Sequence, residues 1–366
     1  MNNVIDYLKW RGDLRFSQAG PGPVDMLIFA QLVHAPLERL EGGGQEQTLS
    51  RLRQAVYPAP PDRGENVLVR SRFELWENAE QCARYGGVML KRFSAHFEPE
   101  AEKQFAAALF GLETGEGVVC FRGTDATLVG WKEDFNLAFE SPIPSQLEAV
   151  NFMNKAAEVF PALNVCGHSK GGNLALYAAS MCAPEVREKI VKVYSFDGPG
   201  LDEETLKGPG YRAVCPRIRS YIPESSIIGL LLGYHDGFTV VRSDSVSLWQ
   251  HNPYYWHVLG PDFVAADGTT RTSRFTDLTL HAFLNDCPPE ERRVLVDTLF
   301  GILNVTGART LRELPRGVAL HMDEIASALG NVPPASRRAL VRTLKELAGA
   351  GAENLRVLLG DARDSN

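Results

Sequence analysis

The chain has 366 residues, 44% of them apolar and 23% charged, with a formal net charge of −7. This is the composition of a soluble globular protein, long enough for one large α/β domain with additions or for two domains. The acidic balance offers no general basic footprint and argues against nucleic acid as a partner.

Six cysteines without a C-x-x-C pair argue against a disulfide framework and for free thiols in a reducing compartment. Residues 1–17 carry Asp6, Lys9, Arg11, Asp13 and Arg15 without an apolar core segment, so no signal peptide is expected. No apolar run approaches the ~18 residues of a membrane span. The expected location is the cytoplasm.

Residues 1–85 read as mainly helical. Pro23 stands where a helix can begin, and Asp25 to Val33 is an apolar helix behind it. Glu46 to Val56 is a second helix, closed by the proline-rich Tyr57 to Pro61, and Asn66 to Cys82 is a third. This region has no catalytic signature. It either packs around a sheet or forms part of a lid.

The pattern changes at Gly86-Gly87. Val88 to Phe97, Gln104 to Leu112 and Val118 to Phe121 form a three-stranded meander, turning at Glu98-Pro99-Glu100 and Gly115-Glu116-Gly117. Gln146 to Phe160 is an amphipathic helix with Leu147, Val150, Met153, Ala157 and Phe160 on one face. Strands at Ala162 to Cys166, Ile190 to Phe196 and Arg217 to Ile222 follow, and Phe238 to Val241 and Val246 to Leu248 are the last. Strands alternating with helices predict a mostly parallel sheet with helices on both faces.

From about Ser273 the pattern is helical again, at Leu278 to Leu284, Pro289 to Leu303, Leu311 to Leu314 and Pro334 to Leu347. Arg337, Arg338, Arg342 and Lys345 give the last of these a basic face. A solvated face is its commoner meaning, and a transient membrane-surface contact is the sharper one. The expected division is a helical N-terminal region over 1–85 that packs on or covers the core, an α/β core over 86–288, and a helical extension over 289–366.

The chemistry gathers at Gly167-His168-Ser169-Lys170-Gly171, where a short apolar strand turns into an Ala/Leu-rich helix. Strand, sharp turn and helix are what a nucleophile elbow requires. Glycines two residues either side of the serine clear room for the crossing strand and helix. A serine nucleophile also needs a base, an orienting acid and oxyanion donors, and in elbow proteins the chain order is serine, acid, histidine.

His251 lies just past the last strand pair and fits the base best, with His257 its rival and His235 in a hairpin-like turn. His168, directly before the serine, reads as structural. Asp197 ends the strand after the elbow helix, 28 residues beyond Ser169, and is the favoured acid over Glu224, Asp236 and Asp244. An aspartate before Gly-Pro is also an ordinary turn former. The backbone N–H of Lys170, with the N–H and hydroxyl of Thr124 in Phe121-Arg122-Gly123-Thr124, would form the oxyanion hole.

Together the Phe-Arg-Gly-Thr segment, the elbow, the strand Val193 to Gly200 and the later histidine resemble the class 3 (fungal-type) lipases. More closely, the chain resembles a bacterial family of lipase-like α/β-hydrolases. That likeness extends to Asp6 to Leu14, Tyr221 to Gly229 and Gln250 to Pro253 with Trp256, and covers roughly residues 1–260. It implies an α/β-hydrolase fold.

Two departures stand out. Where class 3 lipases carry an aspartate after the penultimate strand, this chain has Pro223-Glu224-Ser225-Ser226-Ile227. Either Glu224 substitutes or the acid has moved to Asp197. Lys170 replaces the usual leucine, which favours an anionic substrate or simply reaches solvent.

The expected function is a serine hydrolase of carboxylic esters, above all lipid or acyl esters, acting through a Ser169–His251–Asp197 triad and an acyl-enzyme. No metal or cofactor is expected. The alternative is a weak or inactive hydrolase scaffold that binds an acyl ligand or a protein partner. Thioester or peptide hydrolysis and acyl transfer use the same elbow.

Overall fold

The computed structural model describes residues 2–40, 46–62, 65–125, 127–230, 232, 237–270, 288–310 and 313–330. The expected helices at 278–284 and 334–347, with the basic face of Arg337, Arg338, Arg342 and Lys345, lie outside them, as do His235 and Asp236.

Eight strands form one sheet in sequence order: β1 Gln47–Thr48, β2 Met89–Glu98, β3 Lys103–Gly111, β4 Gly117–Phe121, β5 Leu163–His168, β6 Ile190–Phe196, β7 Ile218–Pro223 and β8 Thr239–Val241. β1 to β4 pair antiparallel, and β4 to β8 pair parallel. The switch has a simple cause. Short turns join β2, β3 and β4, whereas every later link carries at least a dozen residues and can cross back over the sheet.

Alternate residues of each central strand enter two separate cores, as a period of two requires. Val118, Cys120, Cys166, Tyr194 and Phe196 face one side. There they meet α1 Val4–Arg11, α2 Pro23–Leu32, α3 Leu49–Val56 and α4 Val67–Gln81. Val119, Phe121, Val165 and Val193 face the other side. There they meet α6 Pro144–Ala157, α7 Lys170–Met181 and the short helix Pro209–Val214. This is an α/β-hydrolase fold: a mostly parallel sheet, helices on both faces, and further helices before and after it. Each fully buried large apolar side chain contributes roughly 1.5–3 kcal/mol.

α2 is buried on nearly every side, and its one acidic group is closed off completely. Asp25 accepts from Arg84 through both carboxylate oxygens at 2.7 Å, from Tyr7 at 3.0 Å and from Tyr85 at 2.6 Å. At the other end, the helix Pro289–Val305 buries Leu299, Phe300 and Leu303 against Leu128 and Phe135 of α5 Leu128–Asn136. No described helix is long and apolar enough to cross a membrane.

Three local expectations are corrected. The segment expected to be helical from Glu46 begins as the edge strand β1, because Gln47 and Thr48 pair with Leu90 and Met89. On α6, Met153 and Ala157 are buried as expected, with Val150 and Phe160 packed against the same core, but Ala149, Phe152 and Ala156 complete the stripe and Leu147 is 53% exposed. The small alanines let the helix approach the sheet, so the stripe turns away from the bulkier leucine. Val246 to Leu248 is not a strand: Ser247–His251 is a 3-10 turn. Gln250 donates to the Ser245 carbonyl at 2.8 Å and Trp256 to the Gln250 carbonyl at 2.7 Å, which folds this stretch back on itself.

Candidate active site

Ser169 follows β5 and caps α7 with φ 59° and ψ −134°, a conformation L-residues avoid unless their surroundings enforce it. The enforcement is visible. Its N–H donates to the Phe196 carbonyl at 3.0 Å, and its carbonyl accepts from Gly172 at 2.8 Å. A Cβ on Gly167 would lie 2.0 Å from the Gly171 carbonyl oxygen, so the elbow closes only with glycine there. Asn173, one turn into α7, donates to the Gly200 carbonyl at 2.6 Å and accepts from Gln146 at 2.9 Å. The elbow is thereby tied to α6 and to the turn after β6. Ser169 itself is half-buried.

Asp197 follows β6, the parallel neighbour of the elbow strand. It is 1% exposed and also sits at positive φ, 46°. One carboxylate oxygen, Oδ2, lies 2.6 Å from Nδ1 of His251. The other accepts from the Ser226 hydroxyl and from the Gly229 N–H, the latter at 3.1 Å. With its hydrogen on Nδ1 facing the carboxylate, His251 keeps the Nε2 lone pair free. Its own backbone is held as well: the neighbouring His168 ring, 4.6 Å away, donates from Nε2 to the His251 carbonyl at 2.8 Å. Burial first, then the charge of His251, lowers His168 well below the ordinary histidine range, so it stays a neutral donor.

The Phe-Arg-Gly-Thr segment leaves β4 beside the elbow. A Cβ on Gly123 would lie 2.5 Å from the His168 carbonyl oxygen and 3.2 Å from the Ser169 Cβ. Thr124 stands next to it, but its hydroxyl lies 2.6 Å from both carboxylate oxygens of Asp134. That hydrogen is engaged, so the expected second donation from the hydroxyl is replaced by an internal bond. Burial raises the Asp134 carboxyl to about 6, opposed by the Lys170 charge and the Thr124 bond. The first N–H groups of a helix have no partner within it, which leaves the start of α7 at Lys170 open to an anion.

The profile of the Mbeg1-like family matches residues 79–301, more than half of the chain. The chain belongs to the Mbeg1-like family. This is a lipase-like family, in agreement with the coarser part of the likeness drawn from the sequence. Among solved structures the chain is similar to a crystal structure of M37 lipase, with 13% identity, a TM-score of 0.36, and coverage of 56% of this chain and 67% of that one. No curated protein matches it.

The other candidates of this Mbeg1-like chain fall elsewhere. His257 lies 2.6 Å from Asp244, which occupies both as a pair of their own. Glu224 is half-buried, and its backbone carbonyl accepts from Thr270 at 2.7 Å. Lys170 contradicts its expectation. Its side chain reaches neither solvent nor substrate but is fully buried, donating to Glu133 and to the Gln104 carbonyl at 2.7 Å each and to the Gln104 side chain at 3.0 Å. Among the described residues no cluster of three His, Cys, Asp or Glu could hold a metal.

Reading the sequence missed Ser226 and Gly229. They lie in the loop after β7 and donate to Asp197. A Cβ on Gly229 would lie 2.3 Å from the Asp197 carboxylate, which is the reason for glycine there.

Proposed function

We propose that the chain is a serine hydrolase of carboxylic esters, lipid or acyl esters above all, working through Ser169, His251 and Asp197. The observation that carries this reading is the 2.6 Å contact of the buried Asp197 with the half-buried His251, together with a serine held at positive φ. Ser169 Oγ attacks the ester carbonyl while His251 Nε2 takes its proton. The imidazolium then returns that proton to the leaving alcohol, and water releases the acyl-enzyme by the same route. Asp197 keeps the proton on Nδ1 and stabilises the imidazolium. The backbone N–H groups of Thr124 and Lys170 receive the oxyanion, each lowering the barrier by roughly 3 kcal/mol. His168 holds the base's main chain in place.

Kinship with the class 3 lipases belongs to this proposal, with the acid one strand earlier than in their pattern. The inactive-scaffold alternative was motivated by a missing acid, and the Asp197 contact favours the triad over it. The described cysteines are all free, which supports a cytoplasmic location.

The test is labelling by a fluorophosphonate together with turnover of short-chain nitrophenyl esters. Ser169→Ala is expected to abolish labelling and to lower kcat by about 10³-fold or more. If the wild type labels no better than that variant, the hydrolase reading fails.

A further inference from the structure

Beside the site, three neighbouring side chains each bury a hydrogen-bond donor that has no partner among the described residues. His34 lies just past the end of α2 and Arg72 on α4, both ahead of residue 79, where the family match begins. Arg72 Nη2 is 3.1 Å from His34 Nδ1. A guanidinium only donates, so Nδ1 accepts and the neutral ring carries its hydrogen on Nε2. Burial, then the charges of Arg72, Arg122, His168 and His251, hold His34 well below its ordinary value. His34 Nε2, Arg72 Nε and the Tyr254 hydroxyl are all shut off from solvent and have no hydrogen-bond partner among the described residues.

Tyr254 is 5% exposed. Arg84 and Lys170, the fully buried Arg and Lys among the described residues, each sit on a carboxylate at 2.7 Å, whereas Arg72 bonds to a neutral imidazole. An unmet buried donor costs about 1–3 kcal/mol, and more when charged.

The cluster borders the site on two sides. Arg122, two residues before Thr124, donates to the Val33 and Ala35 carbonyls at 2.7 and 2.9 Å, so it grips the chain either side of His34. Tyr254 lies three residues past His251, in the 3-10 turn Pro253–Tyr255 that follows it. The charges of His168 and His251 reach His34, and those of Tyr254, Tyr57 and Asp125 reach Arg72.

We propose that Arg72, His34 and Tyr254 form a subsite for an oxyanionic group, a phosphate or carboxylate, carried by the ester that Ser169 cleaves. This rests on the hydrolase reading above. Such a group only accepts hydrogen bonds and brings the negative charge that the guanidinium lacks. A neutral polyol headgroup would face this cluster with hydroxyl donors of its own.

The probes are 1-oleoyl-lysophosphatidate and 1-monooleoylglycerol, which share acyl chain and ester linkage and differ in the phosphate. The wild type is expected to prefer the phosphate ester by about tenfold or more in kcat/KM. Arg72→Met should cut that preference about 10- to 100-fold, and Arg72→Lys should restore part of it. Tyr254→Phe, which removes one oxygen and spares the fold, should cut it about fivefold and carries the test if Arg72→Met does not fold. Lys207→Met, in an exposed ion pair with Glu203 far from the cluster, should leave it unchanged.

A wild-type preference near one, or a preference indifferent to both Arg72 and Tyr254, overturns the subsite while the hydrolase reading stands. Calorimetric binding of both lipids to Ser169→Ala separates the two claims. Arg72-dependent selectivity for lysophosphatidate without turnover in the wild type would sink the hydrolase reading and keep the anion subsite. Inorganic phosphate provides the free-anion arm. If it raises the melting temperature in an Arg72-dependent manner while the wild type does not prefer lysophosphatidate, the site takes a free anion and the substrate's part in it is overturned.

Discussion

Two arginines twelve residues apart meet opposite fates. Arg84, just beyond α4, is completely buried and wholly satisfied: both oxygens of Asp25 and the carbonyls of Leu14, Ala19 and Gly20 accept from it. Its neighbours are all supplied by this chain, and it fastens the N-terminal loop to α2. Arg72, on α4 itself, contacts a neutral imidazole and leaves its buried Nε unmet. The same side chain therefore does two jobs. Where the chain answers a buried charge in full, the charge is architecture. Where it answers only in part, the remainder is available to a molecule from outside.

Asp197 stands between these cases. Ser226 and Gly229 satisfy one oxygen, and the other is spent on His251, a half-buried side chain that touches the site. The largest effect is expected here. Asp197→Asn keeps the size and the Ser226 contact but presents the wrong partner to Nδ1, so kcat on nitrophenyl esters should drop by about 10⁴. The urea midpoint should hardly move. A variant that unfolds but, where folded, turns over like wild type would make Asp197 a second Arg84–Asp25: architecture only.

Next in size is a pair of changes of opposite sign. Arg84→Met strands the Asp25 carboxylate in a dry core and should cost about 3–5 kcal/mol. Arg72→Met removes a half-answered charge and replaces it with an apolar side chain of similar length, so stability should hold or rise by about 1 kcal/mol. Urea unfolding of the two variants at pH 7 decides the matter. Equal losses would erase the distinction between the two arginines, because Arg72 would then be as fully integrated as Arg84.

How much of this was legible in the sequence depended on distance along the chain. The elbow was, because strand, glycines, serine and helix fall within fifteen residues. Asp197 is favoured because it follows the end of a strand next to the elbow, whereas His251 is reached from an expected strand that does not form; in the fold the two meet. Lys170 was not legible. Its partner Glu133 is 37 residues away, and no local pattern says that α5 will close over the elbow. The Thr124 hydroxyl was misjudged for the same reason, because Asp134 arrives from α5. Ser226 and Gly229 were visible only as a loop that lacked the expected acid. The cluster of His34, Arg72 and Tyr254 draws on three segments that come together only once the helices pack on the sheet. An expected last strand failed because the hydrogen bonds of Gln250 and Trp256 outweigh the β preference of one exposed valine.

The smallest effect tests the partly answered charge nearest the serine. Burial raises Asp134 to about 6 from an ordinary 3.8, with Lys170 and the Thr124 hydroxyl only partly offsetting it. The folded chain therefore holds this proton more tightly than the unfolded one. Stability from this group is fully present below about 3.8 and is lost as pH rises through about 6. Asp134→Asn keeps an acceptor for Thr124 and cannot ionise, so it should escape that loss. The gap in melting temperature between variant and wild type should then widen in favour of the variant from pH 4 to pH 7. A gap that stays constant with pH would mean Asp134 is as well compensated as Asp25, and the divide between answered and half-answered charges would not extend to the wall beside Ser169.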